Sequence, residues 1–295
     1  MVRVDSLPYT EYLDNVAPRR LPVGEVREAV AALLRDSVTR LPPDYLEALR
    51  EAEAREESPL GRRMLRMLLE NAELAEREGV ATCQDTGIPV FFVQVGQDVH
   101  LTDGSLAEAL EEAVREAYRG FRKSVVRDPL LRENTGDNTP PVVHYEIVPG
   151  DRVRIAALVK GFGAEMTSAL RMLPATAGET EVKRFVVEVV QRAGPNACPP
   201  VIVGVGLGSS FDGVALLAKK ALLRPLGVPN PKPHLARLER ELLEAINATG
   251  LGPQGLGGRF TALAVHVESS PTHIAALPVA VNLNCSAPRR AEVVL

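Results

Sequence analysis

Hydrophobic positions divide the chain into helical and extended stretches. In GEVREAVAALLRDSV, residues 24–38, apolar side chains recur every three or four positions and share one face, which predicts an amphipathic helix. SPLGRRMLRMLLENAELAEREG predicts another, with Ser58 as N-cap, Pro59 in the first turn and Gly79 as the stop. The pattern then changes in ATCQDTGIPVFFVQVG, where an unbroken apolar run over 88–96 reads as a buried strand entered from a polar cluster. TDGSLAEALEEAVREAYRG returns to helical spacing with its acids early. PPVVHYEIVPGDRVRIAALVKG predicts a hairpin turned at Pro149-Gly150-Asp151, followed by a helix at about 179–193.

PNACPPVIVGVGLGSS reads as a loop, a buried strand and a glycine-rich turn, and FDGVALLAKKALL and HLARLERELLEAINATG as helices. RFTALAVHVESSPTHIAALPVAVNLNC gives two strands, and RPLGVPNPKPH at 224–234 a surface connection. Helices and strands mix without a strict βαβ rhythm. The expectation is α+β, with α/β as competitor, in one domain over 1–295 whose first 80 residues are mainly helical. No internal repeat is visible in the sequence.

Composition narrows the function. A net charge of −4 favours neither nucleic acid nor an anionic membrane as partner. The start lacks the apolar core of a signal peptide and no apolar run is long enough to span a bilayer, so the expected setting is cytoplasmic. Only 6 of the 34 basic residues are lysine. Three cysteines, an odd number, argue against a disulfide framework, and any one of them alone reads most simply as a small buried hydrophobe.

Their settings change that picture. Cys83 precedes QDTG, Cys198 lies in PNACPP and Cys285 in NLNCSAP, each at the end of an apolar strand among residues that turn the backbone. Thiols presented from such loops can converge as metal ligands must. The separations of 115 and 87 residues rule out a CxxC zinc ribbon and carry little information by themselves. Three thiolates suit a four-iron cluster in which one iron lacks a protein ligand, and such an iron can act as a Lewis acid.

Other polar stretches offer partners for a ligand. FRKSVVRDPLLRENTGDNTPP carries Arg122, Arg127 and Arg132, able to grip carboxylates or simply to stand in solvent. VKGFGAEMTSA puts Lys160 and two glycines at a strand-to-helix turn that can hold an anion. VGVGLGSSFD invites a dinucleotide reading, but Ser209 stands where a third glycine belongs and no Asp or Glu follows between Gly213 and Leu238. His273 sits in a loop twelve residues before Cys285.

CQDTGIPVFFV, NTGDNTP, KGFGAEM, PNACPPVIVGVGLGSSFD, GPQGLGG, HIAALPVAVNLNC and RRAEVVL, in that order, resemble the iron–sulfur hydro-lyases of the class I fumarase and L-tartrate dehydratase family over roughly residues 25–295. That resemblance implies a [4Fe–4S] cluster on Cys83, Cys198 and Cys285, and reversible hydration of fumarate to S-malate with the open iron as Lewis acid. It implies that Asp85 carries a proton to or from the leaving hydroxyl and Gln84 lies beside it. Arg122 would pin a substrate carboxylate, Gly161 and Gly163 would bind it through backbone N–H groups, and His273 would line the pocket.

The chain ends soon after the third cysteine, so the resemblance further implies an alpha subunit acting with a beta subunit, as a heteromer of two alpha and two beta chains. KGFGAEM and CSAPRR depart from the family's common KGGGSxN and CHAAR, and the choice between fumarate and L(+)-tartrate stays open. Two readings from other classes remain: a nucleotide-dependent oxidoreductase on the GxGxG strand, and a non-catalytic metal-binding or scaffold protein.

Overall fold

The computed structural model describes residues 17–295; residues 1–16 of the expected helical region lie outside the described residues. β1 (Arg19–Pro22) leads into α1 (Val23–Thr39), α2 (Pro43–Arg55) and α3 (Pro59–Glu78). β2 (Ile88–Gly96), β3 (Val99–Thr102), α4 (Leu106–Ala117), β4 (Val142–Val148), β5 (Val153–Lys160), the single turn α5 (Phe162–Glu165) and β6 (Ala169–Pro174) follow. The remainder runs α6 (Gly178–Ala193), β7 (Val201–Gly208), α7 (Phe211–Ala221), α8 (Pro233–Asn247), β8 (Ala262–Ser270), β9 (Ala276–Asn284) and β10 (Arg289–Val294). The fold is α+β, and among the described residues no helix is long and apolar enough to cross a membrane.

Local chemistry sets the helix ends. Ser58 Oγ accepts from Gly61 N at 3.2 Å to start α3, and Gly79 stops it with φ 64°, a left-handed conformation open to glycine. The apolar run of β2 is buried on both faces: Phe91 and Val93 join α1 and α4 in one core, while Val90 and Phe92 join α2 and α3 in another. Burying each phenylalanine is worth about 1.5–3 kcal/mol.

The two main sheets have the orders β10-β5-β2-β4 and β6-β9-β7-β8, and β1 pairs with β3 in a small parallel ribbon. The expected hairpin at Pro149-Gly150-Asp151 is therefore corrected. The turn exists, but β4 and β5 do not pair, because β2 lies between them, parallel to β4 and antiparallel to β5. The connection passes over the end of β2, where Gly96 N donates to Arg152 O at 2.9 Å and Asp98 N to Gly150 O at 3.0 Å. A Cβ on Gly96 would stand 2.1 Å from Gly150 O, so only glycine lets the crossing close.

The same arrangement recurs, a repeat that the sequence does not reveal. β7 is central in its sheet, parallel to β8 and antiparallel to β9, as β2 is to β4 and β5. Each half then gives up its last strand: β6 crosses to pair with β9, and β10 crosses to pair with β5. α6 and α8 cover one face of the second sheet. α7 lies against the other so closely that Cβ atoms on Gly204 and Gly206 would stand 2.1 Å from Ala218 O and 2.3 Å from Val214 O. The glycines of the GxGxG strand thus accommodate a helix, which removes the main support for a dinucleotide site.

His266 sits in the core on β8, its Nδ1 3.2 Å from Ala221 O. Burial is the main cause that lowers its pKa, to about 4; Arg224 and Arg290 add to the fall, while the Ala221 carbonyl and Asp44 oppose it. The unfolded chain takes up this proton near the ordinary histidine value, so stability is lost as pH falls from about 6.5 toward 4. His266→Gln is expected to flatten that part of the acid limb in urea titrations at pH 7, 5.5 and 4.5; an unchanged slope would show that the imidazole is not buried neutral.

Candidate active site

Four chain segments meet at one end of the two sheets. Cys83, Gln84 and Asp85 lead into β2, and Cys198 leads into β7; Gly161 follows β5, and Cys285 follows β9. The register places the segments together, with Ile88 opposite Lys160 in one sheet and Ile202 opposite Asn284 in the other. All three thiols are free. The Cys198 thiol is pushed up by burial and then by the negative charges of Cys285, Cys83 and Asp85, so the three cysteines and the carboxylate share one electrostatic neighbourhood.

Among the described residues no three His, Cys, Asp or Glu side chains close tightly enough to hold a single metal ion. Three free thiols in one electrostatic neighbourhood are the kind of soft donor that an iron–sulfur cluster takes. The donor set therefore fits the implied cluster.

Ser286 ties the cysteine loops together through all its polar atoms. Its N donates to Cys198 O at 3.0 Å, its O accepts from the Tyr45 hydroxyl at 2.8 Å, and its Oγ accepts from Gln254 Nε2 at 3.2 Å. Burial, and then the negative charge of Cys285, hold the Tyr45 hydroxyl well above its usual pKa, so it stays a donor. Gln254 also grips Pro199 O, through Nε2 at 2.6 Å and its own N at 2.8 Å. The chain just after GPQGLGG is held by Glu56, whose carboxylate accepts from Arg259 N and Phe260 N as well as from Glu57 N and Ser58 N. Burial raises that carboxyl, and the four backbone donors outweigh it to leave the pKa below its ordinary value.

Asp85 is fixed in direction. Its Oδ1 accepts from Gly87 N at 2.9 Å, with Ser124 Oγ at 3.4 Å, and its Oδ2 accepts from Phe162 N at 2.7 Å. Gly161 and Gly163 lie where the loops press together: a Cβ on Gly161 would stand 3.3 Å from Asp85 Oδ2, and one on Gly163 2.9 Å from Asn196 O beside the Cys198 turn. One N–H of the KGFG loop therefore serves Asp85. Thr86 Oγ1 donates to Arg122 O at 2.7 Å, which brings Gln84, Asp85, Arg122, Lys123 and Ser124 around an open depression of about 360 Å³.

Beneath this floor Lys160 is fully buried, donates to Leu283 O and pairs with Glu165 Oε2 at 3.4 Å. Burial draws its ammonium down to about 8; Lys219 adds to the fall, while Glu165 and Cys285 oppose it.

His273 is not brought to this cluster within the chain. It sits exposed between β8 and β9, at the opposite end of β9 from Cys285, and nine strand residues span about 30 Å. Arg127 turns back to Thr135 O of its own loop at 3.4 Å. A larger cavity, about 670 Å³, lies elsewhere, on the α7 side of the first sheet. Each cation there has a carboxylate: Arg154 with Glu292, Lys220 with Glu146, Arg224 with Glu239 and Arg290 with Asp44. The sequence reading gave no role to Gln254, Ser286, Tyr45, Glu56 or Arg289; the only signal was that GPQGLGG and RRAEVVL belonged to the ordered set of motifs.

The family described as Fumarate hydratase (Fumerase) matches residues 27–294. A putative L(+)-tartrate dehydratase subunit alpha of Methanocaldococcus jannaschii is 38% identical over 275 residues, which is 90% of this chain and 96% of that one. The L(+)-tartrate dehydratase subunit alpha of Escherichia coli K12 is 35% identical over 285 residues, 92% of this chain and 91% of that one.

Gln254 has φ 55°, which asparagine tolerates, so Gln254→Asn shortens the reach without forcing the backbone. The variant is expected to lose about 1–3 kcal/mol of stability by denaturant titration. Alkylation of Cys198 and Cys285 should also become faster; unchanged alkylation rates would show that Gln254 does not hold their loops.

Proposed function

Because this chain belongs to the fumarate hydratase (Fumerase) family, matched over residues 27–294, we propose that it is the alpha subunit of a two-subunit [4Fe–4S] enzyme that hydrates fumarate reversibly to S-malate. The chain is a hydro-lyase. A second reading, dehydration of L(+)-tartrate, is favoured by the names of relatives at 35–38% identity. The observation that carries the proposal is the gathering of three free thiols with Asp85 at the shared end of both sheets.

Cys83, Cys198 and Cys285 would hold the cluster, which when bound supplies a Lewis-acidic iron for the substrate hydroxyl and a carboxylate. This chain supplies the rest of one wall. Asp85, aimed by Gly87 N and Phe162 N, exchanges a proton with the departing or arriving hydroxyl. Arg122, exposed at the rim, meets a substrate carboxylate in bidentate fashion, and Gln84 beside it orients the substrate. Both dicarboxylates present the same charges to Arg122, so the difference between them falls to groups that read hydroxyls.

The relatives are named as alpha subunits, which supports a beta subunit as the opposite wall; two alpha and two beta chains are the assembly we propose. Apolar exposure near the depression agrees with a partner there: Phe162 is 45% exposed, and Leu130 and Leu131, on the loop that carries Arg122, are 89% and 73% exposed.

Anaerobically reconstituted protein is expected to carry close to four irons per chain, and Cys83→Ser to lose them, by iron and sulfide analysis. With the beta subunit, Asp85→Asn should keep its iron and lower kcat by roughly 10²–10⁴-fold on fumarate or L(+)-tartrate, whichever is turned over. No iron after reconstitution would sink the cluster, and activity on neither substrate the reaction.

A further inference from the structure

Arg289 opens β10 opposite Val159 and is 1% exposed, the largest of the fully buried side chains. Other deeply placed cations have a carboxylate: Lys160 has Glu165, Arg224 has Glu239 and Arg290 has Asp44. Among the described residues Arg289 has none within ion-pair distance, and its Nε, like those of Arg224 and Arg290, has no hydrogen-bond partner there. A buried cation left in that condition is costly unless opposite charge lies close by.

The surroundings show where that charge is. Nη1 donates to Asp85 O at 2.7 Å. Nη2 lies 3.2 Å from the point where a Gly161 Cβ would stand, and Asp85 Oδ2 lies 3.3 Å from the same point, so guanidinium and carboxylate flank one glycine without touching. Tyr118 confirms the grouping from the other side: its hydroxyl donates to Thr86 O at 2.9 Å and feels both Arg289 and Asp85.

We propose that Arg289 is a positioning residue of the hydro-lyase site, holding the Asp85 peptide so that its carboxylate faces the substrate, and placing a fixed positive charge behind the anions gathered there. The inference rests on the function proposed above. Burial keeps Arg289 from touching substrate, so it acts through Asp85. A guanidinium suits the task because its separate nitrogens reach the Asp85 carbonyl and the Gly161 side at once, which a single ammonium does not.

The test uses Arg289→Lys and Arg289→Met in the alpha chain, with and without the beta subunit. Amide exchange in the alpha chain reads the placement directly, because Gly87 N and Phe162 N are the donors to Asp85. Their protection should fall by roughly tenfold or more in Arg289→Lys, while β7 amides keep theirs. In the reconstituted complex, Arg289→Lys should retain its iron and lose about 10²-fold in kcat with little change in KM. Combined with Asp85→Asn, Arg289→Met should cost no more than Asp85→Asn alone.

Unchanged protection at Gly87 and Phe162, full kcat in an iron-loaded Arg289→Lys, or additive losses in the double variant would each overturn the proposal. A wild-type complex inactive on both substrates would instead overturn the reading of function, with amide exchange still deciding whether Arg289 places Asp85. If Arg289→Met does not fold, Arg289→Lys carries the test.

Discussion

The exchange of last strands between the two sheets is the constraint on which the rest of the molecule depends. β5 and β9 each end beside the start of a central strand, and the chain must then leave for the other sheet. Two entries and two exits therefore share one edge, and turns rich in glycine and proline are what such an edge requires. Cys83 and Cys198 stand on the entries, Gly161 and Cys285 on the exits. Residues more than a hundred positions apart become neighbours because the topology repeats with its outer strands swapped. The cradle is held by the same hydrogen bonds that close the crossing, as Ser286 N on Cys198 O shows.

Charge follows from this placement. A site that gathers three cysteines and a carboxylate calls for positive potential close by, and the fold provides it at two depths. Arg122 stands in solvent at the rim. Lys160 and Arg289 lie beneath with no access to water, where their fields are screened far less. Lys160 is balanced by Glu165, whose own carboxyl, raised by burial, is brought below its ordinary value by Lys160 and Lys219. Among the described residues Arg289 has no such balance. The asymmetry makes Lys160 part of a self-contained network and leaves Arg289 directed toward the site.

Much of this was legible in the sequence, and what was not has physical reasons. Caps such as Ser58 and Gly79 and the buried run of β2 are local properties, and the elements they predict are present. Strand pairing is not local. Pro149-Gly150-Asp151 does make a turn, but nothing within it says that β2 passes between the strands it joins. The glycines of β7 had a pattern that a phosphate or a helix would explain equally well until α7 was seen against them. The three cysteines could be grouped because each flanks a strand, whereas His273, grouped with Cys285 by twelve residues of sequence, lies a full strand length away.

The hardest residues to read were those that hold others in place. Glu56 and Gln254 act on main-chain atoms and Ser286 works through its own N and O, and a contact with a carbonyl or an N–H leaves no complementary signature in the sequence. Arg289 is harder still, since it is one arginine among many and adjacent Arg290 is spent on Asp44. What separates the two is the alternation of a strand. Successive residues of β10 face opposite sides of the sheet, so Arg289 is carried to the Asp85 side and Arg290 toward the helices that cover the other. A one-residue slip that set Arg289 opposite Leu158 would turn it to the Asp44 side and bring Pro288 opposite Val159, leaving Asp85 without its buried cation. The register of an exchanged strand thus decides which arginine serves the site.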